Sequence, residues 1–186
     1  MPFSAIRAKE VVTMYLETIR LIVRDFTRED AADLYEIFGD AETMKNCEPA
    51  YDFEKTQKFL EEFCIGRKGA VAAVLKDTGK VIGYFLFKSL GEDPAEDVYE
   101  IGWIFNRAYW RQGYAYESCS RVIEYAFREL YAHKIMAEAI DAVKSVSLMK
   151  KLGMKLEGVQ RSHTGDNAGG WADLYLYGLL REEWEK

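Results

Sequence analysis

One stretch limits what this chain can fold into more than any other. A β-type run, Val98-Tyr-Glu-Ile-Gly-Trp-Ile-Phe105, passes through Tyr109-Trp-Arg-Gln-Gly113 into a helix-periodic run from Tyr114 to Leu130. That second run sets Cys119, Val122, Ile123, Ala126 and Leu130 on one face, the spacing of a half-buried helix. A strand that turns straight into a helix leaves first-turn N–H groups without intrahelical partners, at the positive end of the helix dipole. Phosphate or pyrophosphate fits such a turn with no lysine required. Gly113 allows the backbone to approach an anion closely, and Ala115 is small enough to continue the approach. A single glycine serves a plain tight turn equally well, so the rest of the chain must decide.

The elements alternate on both sides of this turn. A strand is expected near 18–24. Thr27 and Asp30 then have capping-box spacing, and Leu34, Ile37 and Phe38 share a helix face. A second helix covers 53–64. Two β-rich runs, Ala70–Leu75 and Val81–Phe87, flank Asp77-Thr-Gly-Lys80, a hairpin turn signal. Beyond an acidic loop, Glu92 to Asp97, lie the strand and helix already described. A short strand at 134–140 and a helix at 143–152 ended by Gly153 follow, and strands at 154–161 and 173–180 close the chain. There is no internal repeat, low-complexity stretch or linker. The pattern predicts one α/β (α+β) domain with antiparallel and parallel parts, over residues 14–186, preceded by an extension at 1–13.

Composition removes several functions. At 186 residues with 49% hydrophobic and 14% aromatic content, the chain can bury a sizeable core. A net charge of −6 and the lack of a basic stripe argue against nucleic acid and are compatible with a cationic substrate. No run is long and apolar enough for a membrane span, and the first residues do not read as a secretory leader. Cys47, Cys64 and Cys119 leave one cysteine over and have no CxxC spacing, which fits a cytoplasmic protein. With two histidines and no Cys/His pairing, no metal site is expected.

Four ordered segments carry a resemblance. They are Leu16-Glu-Thr-Ile-Arg-Leu-Ile-Val-Arg-Asp-Phe26 with Asp30; Gly79-Lys-Val-Ile-Gly-Tyr84; Glu100-Ile-Gly-Trp-Ile-Phe105 leading to Trp110-Arg-Gln-Gly-Tyr-Ala115; and Ser145 leading to Lys151-Leu-Gly-Met-Lys-Leu-Glu-Gly158. In this order they resemble the GNAT superfamily of acetyl-CoA-dependent N-acetyltransferases, nearest the RimJ/RimL type that acts on ribosomal proteins. The resemblance runs from about Tyr15 to Trp184. It implies a mixed, mostly antiparallel sheet flanked by helices, with acetyl-CoA as co-substrate, an amine acceptor and no metal. It admits a homodimer without requiring one.

The same resemblance implies roles for residues. The pyrophosphate would lie on Arg111, Gln112, Gly113, Tyr114, Ala115 and Tyr116. The pantetheine arm would pair with the strand at Trp103, Ile104 and Phe105, with a backbone N–H near Phe105 facing the thioester oxygen. Glu100 is the candidate general base, since an acceptor ammonium must lose a proton before it attacks. Its alternative is a strand carboxylate turned to solvent. Ser145 is the candidate acid for the leaving thiolate, against the commoner role of a helix cap. Two positions depart from the family: Trp110 stands where Gln or Arg is usual, with Arg111 beside it, and Ala142 where Asn contacts the cofactor. These departures keep open a second reading, a CoA-binding protein without catalysis that acts as a sensor or interaction module. Cys119 reads as core. The Gly165–Gly170 stretch reads as a hairpin loop near the acceptor side, and Tyr51, Phe53, Tyr84 and Phe85 as core aromatics.

Overall fold

The computed structural model describes residues 13–90, 97–140, 143–167 and 169–185. The expected extension, but for Thr13, most of the acidic loop and Ala142 therefore lie outside the described residues. Eight strands form one sheet: β1 (Tyr15–Glu17), β2 (Leu21–Asp25), β3 (Ala70–Leu75), β4 (Val81–Ser89), β5 (Val98–Phe105), β6 (Lys134–Ala139), β7 (Lys155–Gly165) and β8 (Trp171–Leu180). Their order is β1-β2-β3-β4-β5-β6-β8-β7. Every pairing is antiparallel except β5 with β6. The mostly antiparallel sheet with flanking helices is the expected fold.

Helices α1 (Ala31–Phe38), α2 (Ala41–Met44) and α3 (Phe53–Phe59) cover one face, and α4 (Tyr114–Arg128) and α5 (Lys144–Lys151) the other; α6 (Arg181–Trp184) follows β8. Two cores result. Val23, Phe85, Ile101, Val122, Ile123, Ile135 and Met149 pack on the α4 and α5 side. Leu34, Ile37, Leu60, Ala72, Val81 and Tyr84 pack on the α1 and α3 side. Alternation along β3, Ala-Val-Ala-Ala-Val-Leu, feeds both faces, which is why every residue of that strand is buried.

Three details differ from the sequence reading. The first strand is a hairpin, because Thr18 turns the chain: its Oγ1 donates to the Leu21 carbonyl and accepts from the Leu21 N–H. The helix expected over 53–64 is α-helical only to Phe59 and widens into π-type turns over Leu60–Gly66. Two one-turn helices, α2 and α6, were not anticipated; four residues are too few to show a period.

The feature that positions a site is the parallel pair. β5 and β6 match only at Val98↔Lys134, Tyr99↔Ile135 and Glu100↔Met136. Beyond that, β5 continues against β4 as far as Gly83↔Phe105, while β6 continues against β8 to Ala139↔Tyr175. The two strands diverge, and the sheet opens between them with Ile101 to Phe105 on one lip.

Candidate active site

A cavity of about 1150 Å³ occupies this opening. Its walls come from β5 (Trp103, Ile104, Phe105), the β5–α4 turn and first turn of α4 (Arg107, Tyr109 to Arg111, Gly113 to Tyr116), β6 (Glu138, Ala139), the start of α5 and the α2 segment (Glu42, Thr43 and Lys45 to Cys47). It therefore runs through the sheet, from the N-terminus of α4 on one face to α2 on the other.

The lip of β5 has a definite polarity. Asn106 N–H donates to the Ile82 carbonyl at 2.9 Å, toward β4. Backbone groups alternate sides along a strand, so Phe105 faces the open edge. The Trp110 indole confirms that direction, since its Nε1 donates to the Phe105 carbonyl at 2.7 Å. Trp110, the residue that departs from the expected pattern, thus holds the end of β5 in place beside the cavity.

The α4 turn is built on a left-handed glycine. Gly113 precedes the helix with φ +85°, in the left-handed region, and no side chain caps the first turn. Arg111 also lies at positive φ, +59°. Among the described residues no hydrogen bond is made to the N–H groups of Tyr114, Ala115 and Tyr116 outside the helix, so they point outward as free donors. Gln112 serves differently. Its side-chain amide donates to the Ala108 carbonyl at 3.0 Å, and it is not part of the cavity wall.

What fixes this turn was not assigned from the sequence. The Glu117 carboxylate receives the Thr18 hydroxyl at 2.6 Å, the Arg20 N–H at 2.7 Å and the Arg20 Nε at 2.7 Å. Arg20 also donates to the Gln112 carbonyl at 3.0 Å and lies 4.1 Å from the Tyr114 ring centre. The β1–β2 hairpin is thereby clamped to the α4 turn. Burial would raise the Glu117 carboxyl, but the hydrogen bonds from Thr18 and Arg20 outweigh it and hold it below the usual carboxylate range. The signal was present in Leu16-Glu-Thr-Ile-Arg-Leu21, yet spacing alone cannot show that residues 97 and 99 apart in sequence meet.

The cavity wall carries charges of both signs. Near α4, Arg111, Lys144 and Lys151 line it, with Lys144 Nζ 4.9 Å from the Trp110 ring and Lys151 Nζ 4.2 Å from the Tyr116 ring. Toward α2, Glu42, Lys45, Arg107 and Glu138 enter the wall, and Glu42 lies 3.9 Å from Lys144 Nζ. Asn167, from the glycine-rich β7–β8 loop, donates to the Met44 and Lys45 carbonyls at 3.1 and 3.0 Å and so braces that end.

Ser145 lines the cavity in the first turn of α5. It is not a cap, since the cap position is Val143, and its hydroxyl has no hydrogen-bond partner among the described residues. Glu100 stands apart from the cavity wall and forms an ion pair with Lys88 at 2.9 Å across the β4–β5 ladder. Cys119 is fully buried, and burial pushes its thiol well up. Cys47 does line the cavity, but desolvation and the Glu48 charge raise its thiol as well, so neither is poised as a thiolate nucleophile.

The fold, a sheet split between its two parallel strands beside a helix turn, is one that comparison with known proteins identifies. Residues 20–155 match the acetyltransferase (GNAT) domain. An uncharacterized N-acetyltransferase of Bacillus subtilis, YnaD, is 33% identical over 174 residues, covering 92% of this chain and 99% of that one. A GNAT-family acetyltransferase structure from Bacillus anthracis is 28% identical with a TM-score of 0.82, covering 91% of this chain and 99% of that one. The ribosomal-protein-S5-alanine acetyltransferase of Vibrio fischeri shares the fold, at 21% identity and TM-score 0.76 over 93% of this chain and 100% of that one. The chain belongs to the GNAT family of acetyltransferases, and it is an acetyl-CoA-dependent N-acetyltransferase.

Proposed function

We propose that this protein transfers the acetyl group of acetyl-CoA directly to a primary amine, a protein N-terminal α-amine or a small-molecule amine, that enters from the α2 side of the split sheet. The observation that carries this reading is the continuous cavity between the free edge of β5, the α4 turn and α2. Its N–H-rich α4 end, with Arg111 and Lys151, suits the cofactor's phosphates, and the Glu138 carboxylate in the wall suits an ammonium. The free edge of β5 offers the pantetheine amides an added-strand partner. A Phe105 N–H on that edge would face the thioester oxygen as negative charge develops on it.

In the reaction the neutral amine attacks the thioester carbon, a tetrahedral intermediate forms, and the C–S bond breaks. The amide nitrogen gives up one proton and the departing thiolate takes one. Ser145, with a free hydroxyl in the wall, is the donor to sulfur under this reading. No acyl-cysteine is needed, which agrees with the raised thiols of Cys47 and Cys119.

The test is calorimetric titration with acetyl-CoA alongside thiol release against a panel of peptide N-termini, polyamines and other small amines. Binding with amine-dependent release is expected. Ser145→Ala should slow release by about tenfold to a hundredfold while leaving cofactor affinity within about twofold. Binding without release from any amine would overturn the transferase reading in favour of a cofactor-binding module.

A further inference from the structure

We infer that Glu138, on β6, is the carboxylate that receives the acceptor amine and takes its proton; this rests on the transferase reading above. Ala137 and Ala139 are buried in the core on the α4 and α5 side, so Glu138 projects from the opposite face of the strand. That is the face of Glu100, because Glu100 and Met136 are parallel partners, and of Ile104, which packs toward α1 and α3. Glu138 lies two residues past Met136, where the strands have parted. The residue at the same level on β5 is Gly102. Gly102 puts no side chain of its own beside Glu138, which lines the cavity; Leu86 of β4 packs over it.

The two carboxylates on this face differ in what holds them. Glu100 sits where β5 and β6 are still paired, and its charge is engaged by Lys88. Glu138 is exposed, lines the cavity, and has no ion pair or hydrogen bond among the described residues. A base must be within hydrogen-bond reach of the proton it removes, directly or through one water. Glu138 is placed at the opening where the amine would meet the thioester, and Glu100 is one step behind it. The balance is simple: the attacking nitrogen's proton passes to the Glu138 carboxylate, and that proton leaves to solvent before the next turnover.

The experiment measures amine-dependent thiol release and acetyl-CoA affinity for Glu138→Gln, Glu138→Asp and Glu100→Gln. Glu138→Gln should lose about a hundredfold or more in kcat at saturating amine, with cofactor affinity unchanged. Glu138→Asp should recover part of the rate, and Glu100→Gln should lose at least tenfold less than Glu138→Gln. A Glu138→Gln enzyme within threefold of the parent, or an equal or larger loss in Glu100→Gln, would overturn the assignment. An effect on amine KM alone would reduce Glu138 to a binding group and also overturn it. If the parent protein itself releases no thiol with any amine, the transferase reading fails instead, and the two failures are told apart.

Discussion

Replacing Gly113 by valine should cost acetyl-CoA affinity at least about a hundredfold, while Gly113→Asn keeps most of it. The residue sits at φ +85°, a conformation that costs an ordinary L-residue about 1–2 kcal/mol and that asparagine tolerates better. A β-branched side chain tolerates it least. The added Cβ would stand in ordinary contact, 3.4 Å from Arg20 Nη2, so the strain comes from the backbone angle and not from crowding. The strain at positive φ, greatest for a β-branched residue, shifts the turn, and the Tyr114, Ala115 and Tyr116 N–H groups lose the common aim that a pyrophosphate needs. Far-ultraviolet circular dichroism and thermal melting would show whether the fold survives, and calorimetric titration would read the affinity. A folded Gly113→Val protein with parental affinity would show that the turn plays no part in holding the cofactor. Glu117→Gln is a milder form of the same test, because it loosens the clamp without straining the turn.

The layout was largely legible because strand and helix periods survive where elements are long. β5, α4 and the β3–β4 hairpin fall where the spacing puts them. The Thr27/Asp30 pairing was also visible, and the Asp30 carboxylate does accept the Thr27 N–H at 2.8 Å. Short elements escaped: α2 and α6 have one turn each, and the switch from α to π geometry after Phe59 leaves the apolar pattern unchanged. The site was legible along the chain but not across it. Residues 111 to 116 are contiguous and carry their own signal. The Thr18–Arg20–Glu117 clamp, the lysines of α5 that lie over Trp110 and Tyr116, and the lone carboxylate of Glu138 depend on which strands part and where. Glu100 and Glu138 show the same limit. Both are strand glutamates in sequence, and only the register distinguishes the one held by Lys88 from the one facing the opening.

Asp30→Asn should lower the melting temperature by about 5–10 °C at neutral pH, and the deficit should shrink in acid. Asp30 is buried, and its two oxygens take Arg24 Nη1 and Nη2 at 2.8 Å each, with the Thr27 N–H on the same carboxylate. Breaking such a pair leaves a guanidinium without its partner, which costs about 3–5 kcal/mol when fully buried. Arg24 retains 25% side-chain exposure, so about 2–3 kcal/mol is the better figure. For a domain of this size that is the melting shift given. Burial opposes ionisation of Asp30, but the Arg24 guanidinium and the Thr27 N–H prevail and hold its carboxyl below the usual range. The Arg24 guanidinium is pushed up by the same hydrogen bond and stays charged throughout. A depressed carboxyl stabilises the fold above the unfolded-state value of about 3.9, and loses that contribution as pH falls through the lower folded-state value. Parent and variant should therefore converge below about pH 4. A deficit that stays constant from neutral pH into that range would mean that asparagine fails by shape and not by charge. The consequence reaches the cavity, because Asp30 starts α1, whose Leu34 and Ile37 fill the core on the α1 and α3 side of the sheet. Glu117 is held low in the same way, so acid also loosens the clamp at the α4 turn, and the two ends of the cavity weaken together.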